Sequence, residues 1–600
     1  MAASGDMAIG GFLPLLLTLD VGAGGGAAVR SSVALSLGIG LASLAVIAVA
    51  VVLGVRAVLR GPAARAALAI LSAALVLHVV LAFAAPYGTG DEIVNFSSAL
   101  TAAFANLDLV IYPHPALYFD LGAGCLGVAA GAVALLQGLP LDEAALRVAA
   151  LHSTDVLIAC RCVSALAWTG VLAVVHASTV ALGGRAWAGL LAMLLVLSAD
   201  LLYTPSFSPY PLGVLLASLA VHHVAFARPD RPVDPPWAAL AGLLFGLGLA
   251  CHYLVLLFTP VALAPLFGRE WRRPVISVAA FAGILLLAFV AANPRLFLSL
   301  PDYLAFWGYR VSEVSTFDVQ NVHDSSPGTA LGGWFYLAML AGRVLGPLFL
   351  LGGGLAAARW IRTRDSRLPT ALLLAAWLLA VFSAAATKYY QYLLFLVPPL
   401  AVVAAIGLSE LAGWPASRRL GRSIVALALL AGLWDAAWPA ALAIASLPGR
   451  RPLVSASPES VFLREVRDLP SGDRVGVSSP TLALPRLAAT ERRVPAAVSD
   501  RLGAIVSQAA GRPVSWVDVL ADGSARGLSG VDWMYVFDWV GRDATARPRT
   551  PAGCDPVRQG REGGVAFSLC RVAPSAGPAA VSAPGTAPAP APVPVPGGGS

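Results

Sequence analysis

The sequence predicts an α-helical polytopic membrane protein of about twelve transmembrane helices, followed by a small extracytoplasmic α/β domain and a disordered tail. Three observations carry this. Of 600 residues, 58% are hydrophobic and only 12% charged, roughly half the charged share of a soluble domain. Apolar runs of roughly 17–25 residues, the length that crosses a hydrocarbon core as helix, recur along residues 33–445. After them, charges, prolines and short β-like runs take over.

Residues 1–32 form an N-terminal segment without a defined element, and the run Met7–Thr18 lacks the basic start of a cleavable signal peptide. The transmembrane domain is expected over 33–445, with spans at 33–55, 66–85, 156–181, 186–203, 209–226, 237–251, 253–267, 274–292, 334–353, 369–387, 391–411 and 423–445. The short pair around "GLACHY" fits half-helices or tilted spans. Residues 116–137 are apolar enough to span. A single extra crossing there would invert every later loop, so they are expected as a helix on or dipping into the outer face, paired with 141–151.

Arginines set the orientation, because short cytoplasmic loops are enriched in basic residues. Arg56, Arg60 and Arg65, then Arg185, Arg228 and Arg231, Arg269, Arg272 and Arg273, Arg359 to Arg367, and Arg418 to Arg422 all fall on one side of a twelve-crossing scheme. The net charge of +7 therefore reads as topology and not as a nucleic-acid footprint. The loops 86–155 and 293–333, and everything after about 446, face outward. The expected location is the inner or plasma membrane, multi-pass, with active site and C-terminal domain extracytoplasmic.

The stretch 446–575, with "VDWMYVFDW" and "GVAFSLCRV", reads as the small α/β domain. Residues 576–600 are Pro/Ala/Gly low complexity and read as disordered. Cys125, Cys160, Cys162 and Cys251 lie in apolar segments as small core residues. Cys554 and Cys570, the other two of six, suggest a disulfide in an oxidising compartment.

Chemistry concentrates at the outer boundary. Asp91 and Glu92, in "YGTGDEIVNFS", either cap the helix that starts near Ile93 or supply a general base at the water–lipid edge. Downstream come "IYPHPALYF", with Tyr112 and His114, and Arg161 in "RCVSAL". Further on lie "GLLFGLGLACHY", "VHDSSPGTALGGWFYL" with His323 and Asp324, and "KYYQYLLFLVPPL" with Lys388 and Tyr390.

In this order, over roughly residues 60–445, these elements resemble the GT-C class of integral-membrane glycosyltransferases, and among them the protein O-mannosyltransferases and the lipid A aminoarabinose transferase. The resemblance implies transfer of a sugar from a polyprenyl-phosphate donor to an extracytoplasmic acceptor, whether protein, lipid or envelope glycan. Asp91 would take the acceptor's proton, and Glu92 would hold the acceptor or fix the loop. Arg161, Lys388 and His114 would face the donor phosphate. Tyr112, Tyr390, His323 and Asp324 would bind substrate.

Each residue also has a plainer reading. Arg161 would be an interfacial arginine snorkelling to water. His114 stands where the aminoarabinose transferases carry lysine, and would only orient a proline turn. Lys388 is the only lysine among forty basic residues, retained for a compact ammonium or present by chance. Tyr389, Tyr390 and Tyr392 would form an aromatic belt, and His323 and Asp324 a solvated loop pair.

Arg343 and Asp435 fall mid-span and need a partner or a polar cavity, unless the spans are shifted. Relatives carry an acid in the region of "YTPSFSPYPLG", which here has only Ser206, Ser208 and Tyr210. A divalent cation is a further reading for His323 and Asp324, though no ligand cluster supports one, and no other cofactor is implied. The partners are the bilayer, the lipid-linked sugar and the acceptor. The competing functions are a transporter or flippase of lipid-linked sugars, which would show repeats and broken helices, and a catalytically silent relative in envelope assembly.

Overall fold

Alanine, leucine and valine dominate the chain up to Leu411, and in a bilayer such segments satisfy their backbone groups as helices. The computed structural model of the protein describes residues 27–59, 61, 63–84, 90–104, 116–200, 207–227, 233–263, 272–293, 304, 334–341, 346–363, 368–384, 390–411, parts of 423–441, 457–478, 496–519, 525–526, 528–539, 550–551, 553–562 and 565–573. In chain order they form α1 (Ala27–Leu59), α2 (Ala64–Ala84), α3 (Gly90–Phe104), α4 (Ala116–Gln137), α5 (Leu141–Leu151), α6 (Ser153–Ala181), α7 (Ala186–Asp200) and α8 (Tyr210–Val221). Next come α9 (Pro235–Leu249), α10 (Thr259–Leu263), α11 (Arg272–Ala292), α12 (Phe335–Ala341), α13 (Gly346–Thr363), α14 (Leu368–Ala384) and α15 (Leu393–Leu411). A π-helical turn, His222–Phe226, extends α8.

Six stretches among the described residues are long and apolar enough to cross a membrane: Ala34–Leu59, Ala64–Phe83, Leu117–Gln137, Ser153–Ala181, Val275–Ala292 and Leu393–Leu411. Shorter apolar helices accompany them at Ala186–Ser198, Tyr210–Phe226, Pro235–Leu249, Tyr253–Leu263 and Leu368–Ala384. This is the architecture of a polytopic α-helical membrane protein.

Close backbone approach, not bulky side chains, joins the main helix pairs, as is usual in lipid. Gly40 of α1 meets Gly124 of α4, and a Cβ on either would overlap the other's backbone. Leu37 lies against Gly127 and Leu44 against Gly124, so numbers fall along α4 as they rise along α1 and the two run antiparallel. Gly138 then takes φ +66°, a left-handed conformation that suits glycine after a helix. Pro140 precedes α5, which folds back beside α4, and Arg147 donates to Gln137 Oε1 at 3.0 Å across the turn.

Two expected spans look different. Around "GLACHY" α9 stops at Leu249 and a 3-10 turn, Tyr253–Phe258, leads into α10. The segment expected at 334–353 is described as α12 and α13, and α13 runs on to Thr363. Its polar end stays helical because Arg359 and Arg362 both donate to Glu410 of α15, at 3.1 and 2.9 Å.

The C-terminal region comprises α16 (Pro458–Arg467), β1 (Val475–Val477), α17 (Ala496–Ala510), β2 (Val514–Trp516), β3 (Asp518–Val519), β4 (Ala525–Arg526), β5 (Trp533–Trp539), β6 (Cys554–Glu562) and β7 (Val565–Val572). One sheet has the order β2-β1-β5-β7-β6. Its first half is parallel, with Val475 opposite both Val514 and Trp533, and its second half is an antiparallel meander. A disulfide joins Cys554 to Cys570 with Cα atoms 5.5 Å apart. Val461, Phe462 and Val466 of α16 pack into the same continuous apolar core as the membrane helices.

Candidate functional site

The apolar end of α2 gives way at Gly90 to α3, whose first turn holds the acid pair. Glu92 points into the protein and is 1% exposed. Its Oε1 accepts from Arg161 Nε at 2.8 Å and from the Phe207 N–H at 2.6 Å, and its Oε2 accepts from Arg161 Nη2 at 2.7 Å. Arg161 Nη1 donates to the Ala82 carbonyl at 3.2 Å. This is a fork-on-carboxylate pair, the strong geometry for arginine, with both side chains sealed from solvent. The pair knots together the end of α2, the start of α3, the third turn of α6 and the segment before α8.

Desolvating two charges is costly, and the attraction offsets it only when the remaining donors and acceptors are also satisfied. Here the main-chain groups of Phe207 and Ala82 do that. Tyr118 of α4 closes the cluster from the side. Its ring stacks on Phe207, with centroids 4.4 Å apart, and its hydroxyl donates to the Phe207 carbonyl at 2.8 Å.

Beyond Phe207 an aromatic group continues the site. The Tyr210 and His252 rings have centroids 4.8 Å apart, and those of His252 and Phe395 of α15 are 5.2 Å apart. His252 Nδ1 accepts from the Leu254 N–H at 3.1 Å, which assigns the ring proton of the neutral form to Nε2. The extended backbone of His252, φ −156° and ψ 132°, is what interrupts the helix at "GLACHY". Tyr392 stacks on Phe382 of α14 with centroids 5.1 Å apart, so this tyrosine serves helix packing.

The structure brings Glu92 and Arg161 together, and in doing so changes what each can do. The guanidinium expected to face a donor phosphate is given to Glu92 and to the Ala82 carbonyl. Asp91 shares the first turn of α3, but its side chain, like that of Tyr390, is outside the described residues. Tyr112, His114, His323, Asp324, Arg343, Lys388 and Asp435 also lie outside them. Among the described residues, no group of three His, Cys, Asp or Glu gathers as metal ligands.

Sequence reasoning missed the contribution of Phe207. Its segment drew notice for the acid it lacks, while what it offers is a main-chain N–H. Asp120 is a second omission, buried at 1% exposure on α4 with Oδ1 making no hydrogen bond. An acid inside "ALYFDLGAG" was signal enough, since an intramembrane carboxylate is rarely idle. A narrow cleft between α6, α8, α14 and α15, lined by Val174, Ser178, Phe258, Leu374 and Pro398, has no charged wall and lies apart from this cluster.

No protein-family model matches the chain, and no curated protein is similar to it in sequence. Among solved structures, ArnT from Cupriavidus metallidurans bound to undecaprenyl phosphate aligns over 84% of this chain and 98% of its own, at 15% identity and a TM-score of 0.42. The apo state of that protein aligns over the same shares at 14% identity and a TM-score of 0.48. An Archaeoglobus fulgidus oligosaccharyltransferase in the apo form aligns over 79% of this chain and 69% of its own, at 12% identity and a TM-score of 0.41. The chain is similar to these structures in the course of its helices, and at such scores the similarity carries no argument about its chemistry.

Proposed function

We propose that the protein is a membrane glycosyltransferase that moves a sugar from a polyprenyl-phosphate carrier to an extracytoplasmic acceptor, with Asp91 as general base. The order of motifs around Asp91-Glu92, Arg161 and "KYYQY" supports the class. The observation that carries the assignment of roles is the Glu92–Arg161 fork. A carboxylate held by a guanidinium fork and a main-chain N–H, with its side chain sealed from solvent, presents no exposed oxygen to an acceptor. Glu92 is therefore a positioning residue that clamps the first turn of α3, and the base role falls to its neighbour.

In the reaction, the acceptor oxygen attacks the anomeric carbon while its proton passes to the Asp91 carboxylate. The bond from the anomeric carbon to the phosphate oxygen breaks, and the electron pair leaves with the polyprenyl phosphate. With Arg161 engaged by Glu92, the residues that the motif order offers to meet that charge are Lys388 and, when protonated, His114.

The test is restoration in cells lacking the protein, with envelope glycans and glycoproteins compared by mass spectrometry. The full-length wild-type chain restores the missing glycan. Asp91→Asn inserts to the same level but lowers transfer by about 10²–10⁴-fold, the contribution of a positioned general base. Undiminished transfer by Asp91→Asn would remove the aspartate from that role. Transfer by purified protein in detergent separates an enzyme from a flippase, because transport needs a sealed bilayer.

A further inference from the structure

Helix α6, which carries Arg161, has no cap of its own. His152 stands at its N-cap and makes no side-chain cap bond. The missing acceptor comes from more than three hundred residues away. Glu459, the second residue of α16, is 1% exposed. Its Oε1 accepts from Ser153 Oγ at 2.5 Å and from the Thr154 N–H at 3.2 Å, and its Oε2 accepts from Thr154 Oγ1 at 2.9 Å. A carboxylate here both satisfies an orphan N–H and meets the positive end of the helix dipole. A second tie fixes the same corner. Arg501 of α17 pairs with Glu143 and lies 3.6 Å from Asp142, both in the first turn of α5.

We infer that Glu459 is a positioning residue for the site, through which the C-terminal region sets the seat of the Arg161–Glu92 pair. The geometry gives the route. Arg161 sits about two turns along α6 from Ser153, on a helix whose start is held by Glu459. Arg161 in turn holds Glu92 and with it the first turn of α3. Shifting or fraying the start of α6 therefore loosens the turn that carries Asp91. Arg501 holds the neighbouring α5, so the C-terminal region grips both arms of the corner. The catalytic consequence rests on the transferase reading above, whereas the coupling from α16 to α3 does not.

The experiment is hydrogen–deuterium exchange on the full-length protein in detergent, comparing wild type, Glu459→Ala, Glu459→Gln and a Ser153→Ala/Thr154→Val double variant. Positioning predicts that Glu459→Ala speeds exchange about fivefold, the size of a lost cap. The acceleration appears over 154–161 and also over 90–95 of α3, while β5 and β7 stay protected. The double variant does the same and Glu459→Gln, which keeps an acceptor, largely does not. Faster exchange confined to α16 and the first turn of α6, or none, would overturn the inference and leave only a packing contact. If Glu459→Ala fails to fold, the double variant decides by the same criterion. In the transfer assay the loosened variants lower kcat with KM for donor unchanged. Coupled exchange in a protein without transfer would instead refute the transferase reading and leave the coupling standing.

Discussion

At Arg161 the balance of forces is steep. Breaking a buried pair leaves one charge without its partner and costs about 3–5 kcal/mol, whereas replacing both members with apolar side chains is often neutral. Arg161→Met alone should therefore lower the melting temperature of the detergent-solubilised protein sharply. Arg161→Met combined with Glu92→Leu should recover part of it, since the Phe207 N–H and the Ala82 carbonyl lose these partners, and should not recover transfer, because the turn is no longer held by directed bonds. A double variant as unstable as the single one would show that the pair is not the closed unit seen here. The sequence offered both residues as candidates but not their union. They lie far apart in the chain, and only the rotation of α3 and α6 decides whether their side chains meet or face lipid. The Phe207 N–H was harder still to foresee, since a main-chain donor leaves no mark in residue type.

Among the helices, the α1–α4 contact shows how little the apolar pattern says about partners. Both helices are legible from composition, yet which glycine faces which is not. A side chain at Gly124 would overlap the backbone at Gly40, while Gly131 on the same helix has nothing within 4 Å of an added Cβ. Gly124→Leu should destabilise by more than the roughly 1–3 kcal/mol of ordinary overpacking, because rigid backbone stands in the way. Gly131→Leu should leave the melting curve unchanged. Equal effects of the two would mean that α1 and α4 do not pack along this face. The length of α13 was misjudged for a related reason. Apolar content ends before the helix does, and the Arg359 and Arg362 bonds to Glu410 carry it further.

Across the full chain, the C-terminal region is tied to the membrane helices by shared apolar packing and by Glu459 and Arg501. Its own sheet is closed by Cys554–Cys570, which spans 16 residues and should stabilise that region by about 3 kcal/mol. Reduction under mild conditions should make 457–573 more sensitive to thermolysin while the helices up to α15 resist. Unaltered sensitivity would mean that the bond contributes nothing. Loosening that also reached α5 and α6 would extend the coupling argued above to the far edge of the sheet.

Apolar run length and scarcity of charge are one-dimensional properties, so a membrane-embedded helical protein with a separate polar C-terminal region could be read directly from the chain. Motif order likewise marked the start of α3 as the place to look for chemistry. What composition cannot encode is the rotation of each helix about its axis. That rotation turned Glu92 inward, joined it to Arg161 and placed the Phe207 N–H beside it, and it brought a carboxylate from α16 onto the uncapped start of α6. Hydrogen bonds act over about 3 Å and depend on direction, so partners distant in sequence are chosen by packing.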